Sequence, residues 1–335
     1  MSNYYLLTNG DFAYNKSYSS EYPWGAIKRL DRYEYGALSS LYICFRPLNH
    51  VSSDFLTHYF ETKKWHQGIS EIAVEGARNH GLLNIGIQDF FATKHYLPQS
   101  ILEQEKIACF LNLIEERIRL QNKIIEKYES LIQAIIYKTK TNGITKGSWQ
   151  KMELSKVLHE RNEKNIDGRT ICSVSVSQGV VNQVEYLGRS FAAQQTNHYN
   201  VVKYGDIVYT KSPTGDFPYG IIKRSDIEED VAVSPLYGVY TPSNDNIGVI
   251  LHFYFMKPSN AFNYLHPLIQ KGAKNTINIT NLRFLENFVP LPISENEAYT
   301  IATTLKTIQK KIDIEKWLLQ AYMIEKEYLL RQMFI

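Results

Sequence analysis

The sequence predicts an α+β chain built as a tandem duplication. An α/β domain followed by a long helix occurs twice, and the two helices form an antiparallel coiled coil. Three observations predict this: a stretch of sequence recurs at a fixed offset, each copy ends in a heptad-patterned run, and short strand-like segments fill the remainder. With 44% hydrophobic and 21% charged residues among 335, the chain is globular and not disordered.

The repeat comes first. Residues 9–16 read NGDFAYNK and residues 204–211 read YGDIVYTK, so Gly10, Asp11, Tyr14 and Lys16 fall on Gly205, Asp206, Tyr209 and Lys211. At the same offset of 195 (205 minus 10), Tyr22–Arg29 falls on Phe217–Arg224 without a gap. One-residue shifts carry the register on through Gly76-Ala77-Arg78-Asn79 and Gly272-Ala273-Lys274-Asn275, and through Leu97-Pro98 and Leu291-Pro292. Residues 142–195 occur once, so a full first copy is expected to need about 50 more residues before Met1. The predicted divisions are a partial first domain at 1–97, a first helix at 98–141, a complete second domain at 142–290 and a second helix at 291–335.

Both helices carry a seam. Ile107, Leu111, Ile114, Ile118 and Ile125 step by three and four in the first, and Ile301, Leu305, Ile308, Ile312 and Leu319 in the second. Polar residues interrupt each seam, at Gln121 in one and at Glu315 and Lys326 in the other. Because each helix follows its own copy of a duplicated domain, the two are expected to run antiparallel. Ser294 and Glu297 have capping-box spacing at the second helix. Thr139–Gly143 reads as a linker. Between the helices, Ile171–Val176 and Asp206–Tyr209 alternate as strands do, while 151–162 and 246–255 read as helices.

Catalytic signatures are absent from the sequence. It holds no GxxxxGK[ST] loop, no Gly-rich strand-to-helix turn and no Asn-Pro-Pro-aromatic stretch. Cys44, Cys109 and Cys172 form no CxxC pair, and His50, His58 and His66 lack ligand spacing. Asp54 with Glu61-Thr62-Lys63 resembles a nuclease triplet, but such triplets are common on solvated helix faces. With no apolar run of membrane-spanning length and no basic-then-apolar N-terminus, the chain reads as cytoplasmic.

What remains is a set of polar loops. Lys211, Ser212 and Thr214 follow one strand, Ser177 and Gln178 follow another, and Gly272, Ala273, Lys274 and Asn275 precede the last segment. Lysine neutralises phosphate, while Ser, Thr, Asn and Gln bond phosphates or base edges, so such loops suit double-stranded DNA. Ordinary loop chemistry explains them equally well. Charge is weak support: the chain is +3 overall, from 37 basic and 34 acidic residues.

Leu97-Pro98 running through Glu103-Gln104 to Ile107-Ala108, together with Gly272-Ala273-Lys274-Asn275 ahead of Leu291-Pro292, resembles the DNA specificity subunit of type I restriction–modification systems. The second copy departs from the family pattern in reading Glu297-Ala298 where Glu-Gln is usual. The resemblance implies a non-catalytic reader of a bipartite DNA target, binding no cofactor itself. By position it implies DNA contacts from Ser177, Gln178, Lys211, Ser212, Thr214 and Gly272–Asn275, with Lys16, Ser17, Arg78 and Asn79 as first-copy counterparts. It further implies that the seam residues named above dock methyltransferase (modification) subunits. Those subunits would carry S-adenosylmethionine and, indirectly, bring restriction subunits. A coiled-coil scaffold that binds only protein is the alternative.

Overall fold

The computed structural model describes residues 4–73, 81–188, 195–271 and 277–334. The chain forms two units, Met1–Ile124 with Glu315–Ile335, and Ile125–Ile314.

In the first unit, β1 (Tyr4–Thr8) pairs antiparallel with β4 (Tyr35–Ser39), and β2 (Phe12–Asn15) lies between β3 (Ala26–Arg29) and β5 (Ile43–Phe45). Phe12 and Tyr14 alternate along β2 and are fully buried, which is how a period of two delivers side chains to one face. Three short helices close over that face: α1 (Ser53–Tyr59), α2 (His66–Ile72) and α3 (Ile87–Ala92). Ser52 caps α1 by accepting from Phe55 N–H. Tyr14 stacks on Phe90 with centroids 5.1 Å apart, and its hydroxyl donates to the Trp24 carbonyl at 2.8 Å.

The long helix α4 spans Ile101–Lys146. Its start is held by Gln104, which accepts from Ser52 N–H at 2.8 Å and donates to the Pro98 carbonyl at 2.7 Å. The expected linker at 139–143 is helical instead. Thr139, Thr141 and Thr145 turn their hydroxyls onto carbonyls four residues back, which accommodates threonine inside a helix. Gly143 stays in the helix because the Trp149 ring lies against it, where any Cβ would overlap. The helix ends at Gly147, whose φ of 72° is the left-handed conformation of a helix stop.

The second unit opens with β6 (Trp149–Glu153), a short 3-10 turn and β7 (Leu158–Glu160). The helix expected over 151–162 is therefore absent. β6 is taken up by pairing along its whole length with a strand near residue 290, and β7 by the central sheet, and this pairing overrides local helical preference. There follow β8 (Cys172–Ser175), β9 (Gly179–Asn182) and α5 (Gln183–Leu187). Next come β10 (Asn200–Val202), β11 (Ile207–Tyr209), β12 (Ile222–Arg224), β13 (Val231–Val233) and β14 (Gly238–Pro242). Helices α6 (Asp245–Phe255) and α7 (Pro258–Leu265), hairpin β15 (Gln270–Lys271) and β16 (Ile277–Asn278), α8 (Asn281–Phe284), β17 (Phe288–Pro292) and α9 (Glu295–Met333) complete the chain.

The duplication holds at the level of single pairings. Phe12 faces Arg29 and Phe45 in the first unit, and Ile207 faces Arg224 and Tyr240 in the second, each 195 residues on. Tyr209 stacks on Phe284 at 4.8 Å and donates to the Tyr219 carbonyl at 2.8 Å, repeating Tyr14. Gly25 and Gly220 share positive φ values of 76° and 99° and both face backbone that a side chain would strike. The difference lies in the sheets: order β12-β11-β14-β7 in the second unit stands against β3-β2-β5 in the first.

Within the first unit, α4 and α9 run antiparallel. Lys326 donates to Glu115 at 2.6 Å, Arg117 lies over the Tyr322 ring at 5.2 Å, and Gln121 donates to the Glu315 carbonyl at 3.2 Å. Gln121 and Glu315, interruptions of opposite seams, thus meet one another while Lys326 meets Glu115, and such pairs fix register. At the start of α9, Glu297 Oε1 accepts from Trp149 Nε1 at 2.7 Å, so this carboxylate oxygen serves β6.

Candidate nucleic-acid interface

The site is built on the loops of the second unit. Lys211 follows β11 and adopts φ 59°, a left-handed conformation in a non-glycine residue. Its ammonium is half-buried and donates to Asn281 Oδ1 at 2.5 Å, while Asn281 Nδ2 donates to Glu160 at 2.6 Å. Burial lowers the Lys211 pKa from its ordinary value, against the opposing pull of Glu160. The fold therefore ties the 205–215 loop to the segment after β16. Beyond Lys211, Thr214 and Phe217 exchange backbone hydrogen bonds at 3.0 Å, and Ser212 and Thr214 are exposed on that turn.

Ser177 and Gln178 occupy the exposed turn between β8 and β9. The buried Ser175 hydroxyl holds the turn, accepting from Ser177 N–H at 3.3 Å and Gln178 N–H at 3.4 Å. Among the described residues no hydrogen bond joins this turn to the Lys211 loop. Gly272, Ala273, Lys274 and Asn275 lie outside the described residues, between strands β15 and β16, which pair Gln270 with Asn278. In the first unit, Lys16 is half-buried and Ser17 exposed, and the Lys16 carbonyl accepts from Leu83 N–H at 2.9 Å. Arg78 and Asn79 also lie outside the described residues.

Several cations of the second unit are engaged internally. Arg161 pairs with Asp206 at 2.6 Å, Arg169 with Asp167 at 3.1 Å and Lys203 with Glu163 at 3.1 Å. Arg224 is buried against Asp226 and Asp245. The nuclease-like triplet is likewise spent on ion pairs, Asp54 with Arg29 at 2.6 Å and Glu61 with Lys28.

The seam residues lie mostly inside the chain. Leu111, Ile114, Ile125, Ile301, Leu305, Ile308 and Ile312 are buried within the chain, and Ile107, Ile118 and Leu319 are half-buried. They pack the helices within the chain. The exposed apolar residues of the same helices are others, among them Leu113 and Leu120 on α4, and Trp317, Ile324 and Tyr328 on α9. Sequence reasoning passed over Trp317, whose side chain falls off the heptad stripe. It also passed over Asn281, seventy residues from the lysine it binds.

A duplicated domain-and-helix chain with polar loops on strand ends belongs to a recognised architectural class. No protein-family model matches the sequence. The structure is similar to the type I restriction–modification system S subunit from M. genitalium, at TM-score 0.58 and 12% identity over 98% of this chain and 83% of that one. It is also similar to a chain from a structure described for complex assembly and conformational transition of the type I R-M system, at TM-score 0.52 and 13% identity over 99% and 83%. The chain has the fold of the type I restriction–modification S subunit.

Proposed function

We propose that this chain is a non-catalytic, sequence-specific DNA-recognition subunit of a type I restriction–modification complex, reading a bipartite target and docking methyltransferase subunits in the cytoplasm. The observation that carries the reading is the fold likeness along 98% of the chain, which takes in both domain-and-helix repeats. Each domain would read one half of the target. Ser177, Gln178, Lys211, Ser212, Thr214 and the 272–275 segment would face the duplex, with phosphate contacts shared with partner subunits because several of the chain's own cations are paired. S-adenosylmethionine would sit on the methyltransferase.

The test is retention of duplex DNA by the complex assembled with its methyltransferase. Lys274→Ala and Lys211→Ala are each expected to weaken binding and to lower the salt slope by about one. Lys211→Ala is expected to act on the 280–284 segment as well, since it strands Asn281. An unchanged slope in both variants removes these loops from the interface. A complex that assembles yet never retains DNA supports the alternative, a scaffold that binds protein only.

Docking is read separately. Trp317 is 73% exposed on α9. Trp317→Ala is expected to leave stability within about 0.5 kcal/mol, as surface changes do, while weakening methyltransferase binding at least tenfold, as loss of an aromatic anchor does. Co-purification at wild-type yield from the variant would place docking elsewhere.

A further inference from the structure

Among the described residues Lys223 is the one buried lysine, 4% exposed. It stands in the middle of β12, opposite Val208 of β11. Residues opposed across antiparallel strands share a face, and Val208 belongs to the hydrophobic cluster that Cys172 of β8 and Val180 of β9 complete. The lysine stem is therefore laid among valines. Arg224 projects from the opposite face of β12, where Asp226 and Asp245 hold it.

The Lys223 ammonium has no hydrogen-bond or ion-pair partner among the described residues, and burial alone pushes its pKa down to about 8. Its charge is felt at His252 of α6, which burial, then Lys223 and Arg224, hold down to about 3. In the first unit the matching residue is Lys28, which is exposed and pairs with Glu61. The two copies thus differ in whether the protein supplies the counter-charge. A buried cation without one costs the folded chain stability, and a ligand anion removes that cost.

The surroundings of Lys223 point to the kind of anion. β12 is preceded by the loop that carries Lys211, Ser212 and Thr214. Gly179, directly after Ser177 and Gln178, comes so near β12 that a Cβ on it would stand 3.8 Å from the Arg224 carbonyl oxygen. Lys223 therefore lies between two exposed polar loops that no hydrogen bond joins among the described residues. A lysine whose stem is fixed by packing has already lost the rotamer freedom that a surface lysine loses on binding, which suits one positioned phosphate. We propose that Lys223 is the cation of an anion site between the Ser177–Gly179 turn and the 211–220 loop, taking one phosphate group from the backbone of bound DNA. This inference rests on the DNA-recognition reading for the source of the phosphate, and not for the anion site itself.

The experiment uses the full chain, isotope-labelled at lysine Cε for NMR, and the complex assembled with its methyltransferase. The Lys223 resonance is assigned by its loss in Lys223→Met, an unbranched side chain without charge. Inorganic phosphate or duplex DNA is expected to raise the pH at which Lys223 titrates by about half a pH unit or more, since an anion favours the charged form. Lys223→Met is expected to raise the urea midpoint of the chain, because an unpaired buried charge is removed. The same variant is expected to weaken retention of duplex DNA by the complex about fivefold and to lower its salt slope by about one. A purely structural lysine would lower stability and retention together. A titration that neither phosphate nor duplex moves, or a fall in the urea midpoint, overturns the anion site. Unchanged retention and slope in the variant, in a complex that holds DNA, overturns the assignment to the DNA backbone and leaves DNA recognition standing. A wild-type complex that holds no DNA, while phosphate still moves Lys223, sinks DNA recognition and leaves the anion site with free phosphate as its ligand.

Discussion

Replacing Arg161 by alanine is expected to destabilise the second unit by about 3–5 kcal/mol, the loss that follows when one member of a buried ion pair is removed. Asp206 is 1% exposed and accepts from Arg161 Nε at 2.6 Å and Nη2 at 3.0 Å, with Thr241 and the Lys203 N–H completing its shell. Without the guanidinium the carboxylate keeps its burial and loses its counter-charge. The repeat supplies the control. Asp11 occupies the matching position, but its partner is Arg46, which stands where Thr241 stands in the second copy. The Arg46 side chain is 67% exposed, so water takes its place, and Arg46→Ala is expected to cost far less. Arg46, against the opposing effect of burial, holds the Asp11 carboxyl down to about 2. Because that folded-state value lies below the ordinary 3.8, the stabilisation is complete above about pH 4 and lost as pH falls toward 2. Urea unfolding of the two variants, with hydrogen exchange to assign each loss to its unit, checks the asymmetry. Equal losses would mean that exposure of the arginine does not decide the matter.

The exchange of Arg161 for Arg46 marks the boundary of what the sequence discloses. The offset was legible because both copies need the same glycine turns, the same buried tyrosine and the same acid at Asp11 and Asp206. The seams were legible because a heptad requires only local spacing, and their polar interruptions at Gln121, Glu315 and Lys326 were visible as exceptions. Their pairing with each other, and with Glu115, needed the antiparallel register. Residues 151–162 misled for the reason that local preference is weak against sheet pairing with partners over eighty residues away. The end of α4 misled because Thr139–Gly143 has the composition of a turn, and only the Trp149 ring explains a glycine kept inside the helix.

The candidate site was less legible than the fold. Strand ends and polar loop residues can be read directly, and Ser177, Gln178, Ser212 and Thr214 are exposed as that reading requires. Lys211 has the chemistry of a phosphate contact, but its ammonium is tied to Asn281, a partner set by the approach of two loops and by nothing in either sequence. The exposed faces of the long helices were hard to read for a related reason. A heptad pattern identifies what two helices bury between them, and the exposed remainder of each helix is where periodicity gives no signal.

Leu111→Ala and Leu305→Ala are each expected to cost about 2–5 kcal/mol, the range for removing a fully buried leucine side chain. Both residues are 0% exposed, one on each long helix. Leu111 belongs to the same hydrophobic cluster as Phe12, Tyr14, Phe55 and Trp65, so this part of α4 is core of the first unit as much as it is coiled coil. Its truncation should therefore raise amide exchange in β2 and α1, and not merely fray the helix. The far end of α9 enters the same cluster through Phe334, whose ring lies 5.0 Å from Phe55. Leu305 lies in the second unit, and its truncation should raise exchange first in that unit. The contrast with Trp317→Ala is the informative comparison, since all three substitutions shorten an apolar side chain on these helices. The two leucine variants should lose stability, and Trp317→Ala should lose only partner binding. A stability loss below about 1 kcal/mol from Leu111→Ala would show that the helix rests on the domain without forming its core.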